Sequence, residues 1–137
     1  MIGLKISGTC PGTFDNSTST YITSPNHPQN YDNNVDCHWL ITIPEEKSLV
    51  LYFTFFMTNG YNDKLTIYEG ENGDGKQLYQ YYGSNPEGIT GISEKWVNAK
   101  SVYITFNSDS FGTGKGFKIM LLTFGNLIKL RAYSFIS

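Results

Sequence analysis

Hydrophobic residues recur at every second position in several short runs, and polar bends separate those runs. The pattern is plainest from Leu49 to Gly70, LVLYFTFFMTNGYNDKLTIYEG. Leu49, Leu51, Phe53 and Phe55 share one face of a first strand, and Leu65 and Ile67 share one face of a second. Between them, Thr58-Asn59-Gly60-Tyr61-Asn62-Asp63 is too polar to bury without partners. This predicts two strands, each burying one face, joined by a junction of oxygen-bearing side chains at an edge of the domain.

The same alternation continues along the chain. Cys37, Trp39, Ile41 and Ile43 face one way, and His38, Leu40 and Thr42 the other. Val102, Ile104 and Phe106 form another inward set and lead into a second polar bend, Asn107 to Gly112. Tyr21 to Ser24, Gln77 to Tyr82 and Phe117 to Leu122 read as further strands. Segment 24–34, SPNHPQNYDNN, cannot be an element interior; its prolines and Tyr31 point to an ordered loop. Turns are predicted at 44–47, 71–76, 83–88 and 98–100. Residues 1–9 read as a lead-in, 89–95 carry no clear period, and 125–137 form an apolar, basic extension around a domain at 10–124. About eight to ten short strands with closely spaced turns predict an all-β protein, a sandwich or jelly roll.

Composition narrows the picture. A chain of 137 residues fits one domain with a real core. Its net charge of -2, with no Lys/Arg cluster, gives no general attraction to nucleic acid or anionic membrane. No run of about 18 apolar residues is present. The two cysteines, Cys10 and Cys37, leave two readings open by count alone: one bridge, or two buried thiols. A bridge would add roughly 3–4 kcal/mol in the chain-entropy model. Asn16-Ser17-Thr18 is a glycosylation sequon, compatible with secretion, while MIGLKISGT lacks the apolar stretch of a secretory signal.

Catalysis finds little support in the sequence. His27 lies in the proline loop and His38 on a strand, and neither G-x-S-x-G nor H-E-x-x-H occurs. Gly112-Thr113-Gly114-Lys115-Gly116 lacks phosphate-loop spacing and precedes a strand, so it reads as a β-turn. Glu69 to Asp74 does not fit EF-hand spacing. Aromatics are the other candidates: Tyr79, Tyr81 and Tyr82 cluster, while Tyr61 and Phe111 flank the two acidic bends.

Several residues together resemble the CUB domain family. They are Cys10, Gly12 and Phe14; Ile22-Thr23-Ser24-Pro25-Asn26-His27-Pro28; Tyr31; and Cys37-His38-Trp39 with Ile41. The resemblance continues through Leu51, Phe53, Asp63, Leu65, Ile67, Tyr68, Gly70, Gly83, Phe106, Ser108-Asp109 and Gly116-Phe117. It implies a jelly-roll-like β-sandwich of two antiparallel sheets, a Cys10–Cys37 disulfide and a secreted or extracellular setting. The places of the family's second disulfide look occupied by Gly60 and Tyr82, which leaves the tie between the 59–63 bend and the 82–88 turn open.

The resemblance also implies a calcium site built on Asp63 and Asp109, with Asn59 where a third acid is expected. The competing reading is that both aspartates cap turns by accepting backbone N–H groups. The function implied is non-catalytic: an extracellular module binding a protein partner through Tyr61, Ser110 and Phe111, with calcium as a weak aid. The alternative is a glycan-binding sandwich using an exposed tyrosine cluster at Tyr81. Either way the module is expected inside a larger multidomain protein.

Overall fold

The computed structural model describes residues 4–10, 12–13, 20–83 and 93–125. Ten strands are found there: β1 (Lys5–Gly8), β2 (Gly12–Thr13), β3 (Thr20–Thr23), β4 (Asp36–Thr42), β5 (Lys47–Met57), β6 (Lys64–Glu69), β7 (Gln77–Tyr81), β8 (Ser93–Val97), β9 (Ser101–Asn107) and β10 (Gly116–Gly125). They form two five-stranded sheets, in the orders β1-β4-β9-β6-β7 and β2-β3-β10-β5-β8. All the pairings are antiparallel. Asn16, most of the 83–88 segment expected to turn, 89–92 and residues 126–137 lie outside the described residues.

Period-two alternation explains which side chains meet between the sheets. Cys37, Trp39 and Ile41 from β4 oppose Phe106, Ile104 and Val102 from β9, and all six are fully buried. From the other sheet, Leu49, Leu51 and Phe53 of β5 and Phe117 and Ile119 of β10 are equally closed to solvent. Edge-to-face ring pairs lock the layers, among them Trp39 on Phe117 and Phe106 on Phe117.

The structure departs from the simple alternation in three places. Phe55 was expected inside, but the register of β5 against β10 slips at Thr54, so Phe53 and Phe55 pair with the adjacent residues Ile119 and Lys118. One inserted residue reverses the phase of a strand. Phe56 therefore enters the core at 5% exposure, and Phe55 turns out against His27. The stretch read as a lead-in supplies β1, whose Ile6 pairs with Ile41. Finally, 93–95, the described part of the stretch without a clear period, opens edge strand β8.

Strand direction gathers the loops at two ends. Asp36, Lys64 and Asn107 pair at one end of the first sheet; Thr42 and Ser101 pair at the other, with Glu69 opposite Val102 beside them. The disulfide Cys10–Cys37, across 27 residues, fastens the strand carrying Cys37 near the first end. Both polar bends singled out in the sequence, 58–63 and 107–112, open onto that end, called the tip below.

Candidate functional site

The tip is organised by a buried carboxylate. Asp63, just ahead of β6, is fully enclosed. Its Oδ2 accepts the Tyr31 hydroxyl at 2.6 Å, and its Oδ1 accepts the backbone N–H of Asp109 at 2.9 Å. A buried carboxylate without donors would be costly, so these bonds are what allow an acid to sit here. The Tyr31 oxygen in turn accepts the Asn59 N–H at 2.9 Å. One hydroxyl thus joins the 24–34 loop, the 58–63 bend and, through Asp63, the 107–112 bend. Burial, then the hydrogen bond to Asp63, pushes the Tyr31 pKa well above the ordinary tyrosine value. The ring is held edge-on against Phe106.

Thr58 ties in a further loop. Its hydroxyl donates to the Asp63 carbonyl at 3.0 Å and accepts the Gly83 N–H at 2.7 Å. Its own N–H donates to the Gly83 carbonyl at 3.0 Å. So the bend is joined to the turn after β7 by paired hydrogen bonds, and the exposed rings of Tyr61 and Tyr82 lie 5.7 Å apart over the join. This answers how the two segments hold together with Gly60 and Tyr82 where the resemblance places a second disulfide.

The outer loop is set by side chains reaching its backbone. Asp109 Oδ1 accepts the Phe111 N–H at 3.1 Å, and Asn59 Nδ2 donates to the Phe111 carbonyl at 3.4 Å. Ser108 accepts the Val35 N–H and donates to the Asp32 carbonyl, each at 2.8 Å. Gly112 has φ +86, and a Cβ there would run into the Asn59 side chain, so this corner needs glycine.

Of the residues singled out in the sequence, Asp63, Asp109 and Asn59 come together in one network. Tyr61, Ser110 and Phe111 stand exposed around it, Tyr61 at 76% and Phe111 at 84%. Tyr81 does not join them. It pairs with fully buried Leu65, so its ring points into the sandwich against Phe53 and Phe56. A ring at 8% exposure offers no platform for a ligand, and burial pushes its pKa upward too. The exposed neighbour is Tyr82, which alternation along β7 would have indicated once Tyr81 was fixed inward. Tyr31 and Thr58 carry the network without having been singled out for it. Their partners lie far along the chain, where no local pattern points. No group of three or more His, Cys, Asp or Glu side chains placed to hold a metal occurs among the described residues.

The architecture, two antiparallel sheets with interlocked loops at one end, defines a β-sandwich of jelly-roll type. Residues 10–121 match the CUB domain family, and the chain belongs to that family. It is 33% identical to mouse Seizure protein 6 over 107 residues, covering 78% of this chain and 10% of that protein. It is 30% identical to human Cubilin over 109 residues, covering 76% of this chain and 3% of that protein. Its fold resembles the CUB1-EGF-CUB2 region of human MASP-1/3, with TM-score 0.67 and 21% identity over 80% of this chain and 42% of that one. It also resembles the MASP-1 CUB2 domain bound to Ca2+, with TM-score 0.63 and 22% identity over 82% of this chain and 98% of that one. CUB domains are extracellular protein-interaction modules, some of which bind calcium.

Proposed function

We propose that this chain is a non-catalytic recognition module that binds a protein partner through the tip formed by 58–63, Tyr82 and 109–112. The observation carrying this reading is the pre-assembly of the tip. Loops from distant parts of the sequence are fixed to one buried carboxylate, Asp63, while their outward side chains stay exposed. A rigid loop surface loses little entropy on binding.

Calcium has no part in this reading. Calcium takes about six to eight oxygens with strong negative charge. Here both Asp63 oxygens and one Asp109 oxygen already accept hydrogen bonds, and the third position is the amide of Asn59, turned to donate to Phe111. One hydrogen bond leaves each of these oxygens a lone pair, but two carboxylates and one amide supply less negative charge than calcium usually takes. The glycan alternative loses its centre with Tyr81, and the remaining pair, Tyr61 and Tyr82, is tilted by 57° and makes no single flat platform.

An array of secreted and cell-surface ectodomains, probed with the multimerised domain, tests the reading. Asn62→Arg/Ser110→Arg blocks the tip while leaving its hydrogen bonds alone. Glu45→Arg/Glu71→Arg does the same at the other end. Binding lost only in the first variant is the expected result; binding lost only in the second overturns it.

A further inference from the structure

The dipeptide Asn-Gly occurs twice, at Asn59-Gly60 in the tip and at Asn72-Gly73 in the loop between β6 and β7, at the opposite end. It carries a spontaneous chemistry. Glycine has no side chain to shield its peptide nitrogen, so that nitrogen can attack the asparagine side-chain carbonyl. The bond from glycine N to Cγ forms and the bond from Cγ to Nδ2 breaks. The glycine amide proton passes to solvent base, and Nδ2 leaves as ammonia. Water then opens the cyclic imide. Attack at Cγ gives aspartate, and attack at the main-chain carbonyl carbon gives isoaspartate. The balance is asparagine plus water to aspartate or isoaspartate plus ammonia, with no oxidant or reductant.

Both asparagines are exposed, so access to water does not separate them. The difference lies in which atom of the amide is held. Asn59 is held by its nitrogen. Its Nδ2 donates to the Phe111 carbonyl at 3.4 Å and lies against Gly112, where an added Cβ would collide with it. Its backbone N–H is fixed as well, donating to the Tyr31 hydroxyl at 2.9 Å. The atom that must depart is therefore the one that the tip grips.

Asn72 is held by its oxygen instead. Its Oδ1 accepts the Asp74 N–H at 2.9 Å. That bond closes a ring around Gly73 and folds Cγ towards the Gly73 nitrogen. It also sets a donor on the oxygen that gains negative charge as the nitrogen adds, and a donor already in place there lowers the barrier. Among the described residues nothing is hydrogen-bonded to the departing Nδ2. A Cβ added at Gly73 would meet only the Tyr68 ring, at 4.0 Å, so little packs on this corner.

We infer that Asn72 is a self-modification site: in the folded chain it deamidates to aspartate and isoaspartate, with the Asp74 N–H as oxyanion donor, while the tip preserves Asn59 as the amide. Conversion adds a negative charge to a segment that already carries Glu69, Glu71 and Asp74. The isoaspartate form also lengthens the backbone of that loop by one atom.

The test ages the full chain in mildly alkaline buffer, folded and, as a reference, in urea, and follows each site by peptide mapping with mass spectrometry. Deamidation adds one mass unit, whereas isomerisation at the adjoining Asp74-Gly75 adds none. In urea the two asparagines should convert within about twofold of each other, because only the shared dipeptide then sets the rate. In the folded chain Asn72 should convert at least as fast as in urea, and Asn59 at least about tenfold slower than in urea. Equal rates at the two sites in the folded chain overturn the inference, and so does an Asn72 that folding slows. Asp74→Pro removes the donating N–H. It should slow Asn72 about threefold or more and leave Asn59 unchanged, which also shows the tip intact. An Asn72 rate that Asp74→Pro leaves untouched overturns the role of the donor.

Discussion

The two ends of this sandwich are built from the same strands yet held in different ways. At the tip, side chains of one loop reach the backbone of another: Tyr31 to the 58–63 bend, Asp63 to Asp109, Thr58 to Gly83, Ser108 to Val35. At the opposite end the bonds run mainly along the backbone. Ile43 N–H donates to Lys100 at 2.9 Å, Gly70 N–H to Ser101 at 3.0 Å and Glu69 N–H to Lys76 at 2.8 Å. An open groove there, about 560 Å³, is lined by Thr42 to Lys47 and Asn98 to Lys100. Two of these bonds join different loops, but through peptide groups that any residue except proline supplies, so the side chains there can vary one at a time. Loops that depend on each other's side chains form a single surface, and that is what recognition needs.

Removing the centre of the network should give the largest effect. Asp63→Ala strands the Tyr31 hydroxyl and the Asp109 N–H in a buried site, with an expected loss of about 3 kcal/mol in urea unfolding. A loss below about 1 kcal/mol would mean the two ends are held alike. Next comes Thr58→Val, which keeps shape but deletes the hydroxyl bonds to Asp63 and Gly83; about 1–2 kcal/mol is expected by the same measurement.

Alkaline pH should separate the ends further. The raised pKa values of Tyr31 and Tyr81, set chiefly by burial, mean that folding keeps both rings protonated. Their contribution is fully present below the unfolded value of 10.0 and is lost as pH rises above it. Unfolding curves from pH 8 to 11 should show falling stability over the upper part of that range, and Tyr31→Phe should shallow the fall. The smallest effect belongs to the far end. Glu46 is exposed with φ 61, so Glu46→Gly should change stability by no more than about 0.5 kcal/mol and leave tip binding unchanged.

Much of this was legible in the chain, because burial imposes a period of two. Trp39, Ile41, Leu51, Ile104 and Phe106 declared their faces, and the excess of oxygen in 58–63 and 107–112 marked the bends that meet. The rest depends on information a local pattern does not hold. The bulge at Thr54 is decided by the partner strand β10, and it alone exchanges Phe55 for Phe56. Whether Tyr81 or Tyr82 faces water is fixed by pairing with Leu65. The Tyr31–Asp63 bond spans 32 positions, and only the finished fold brings its partners together.

Hydrogen exchange in EDTA addresses the central claim most directly. If the tip is assembled by its own hydrogen bonds, the amides of Asn59 and Asp109, which bond to Tyr31 and Asp63, should be protected well beyond that of Asp74 in the loop at the far end. Exchange of Asn59 and Asp109 as fast as Asp74, or protection that appears only when calcium is added, would contradict it.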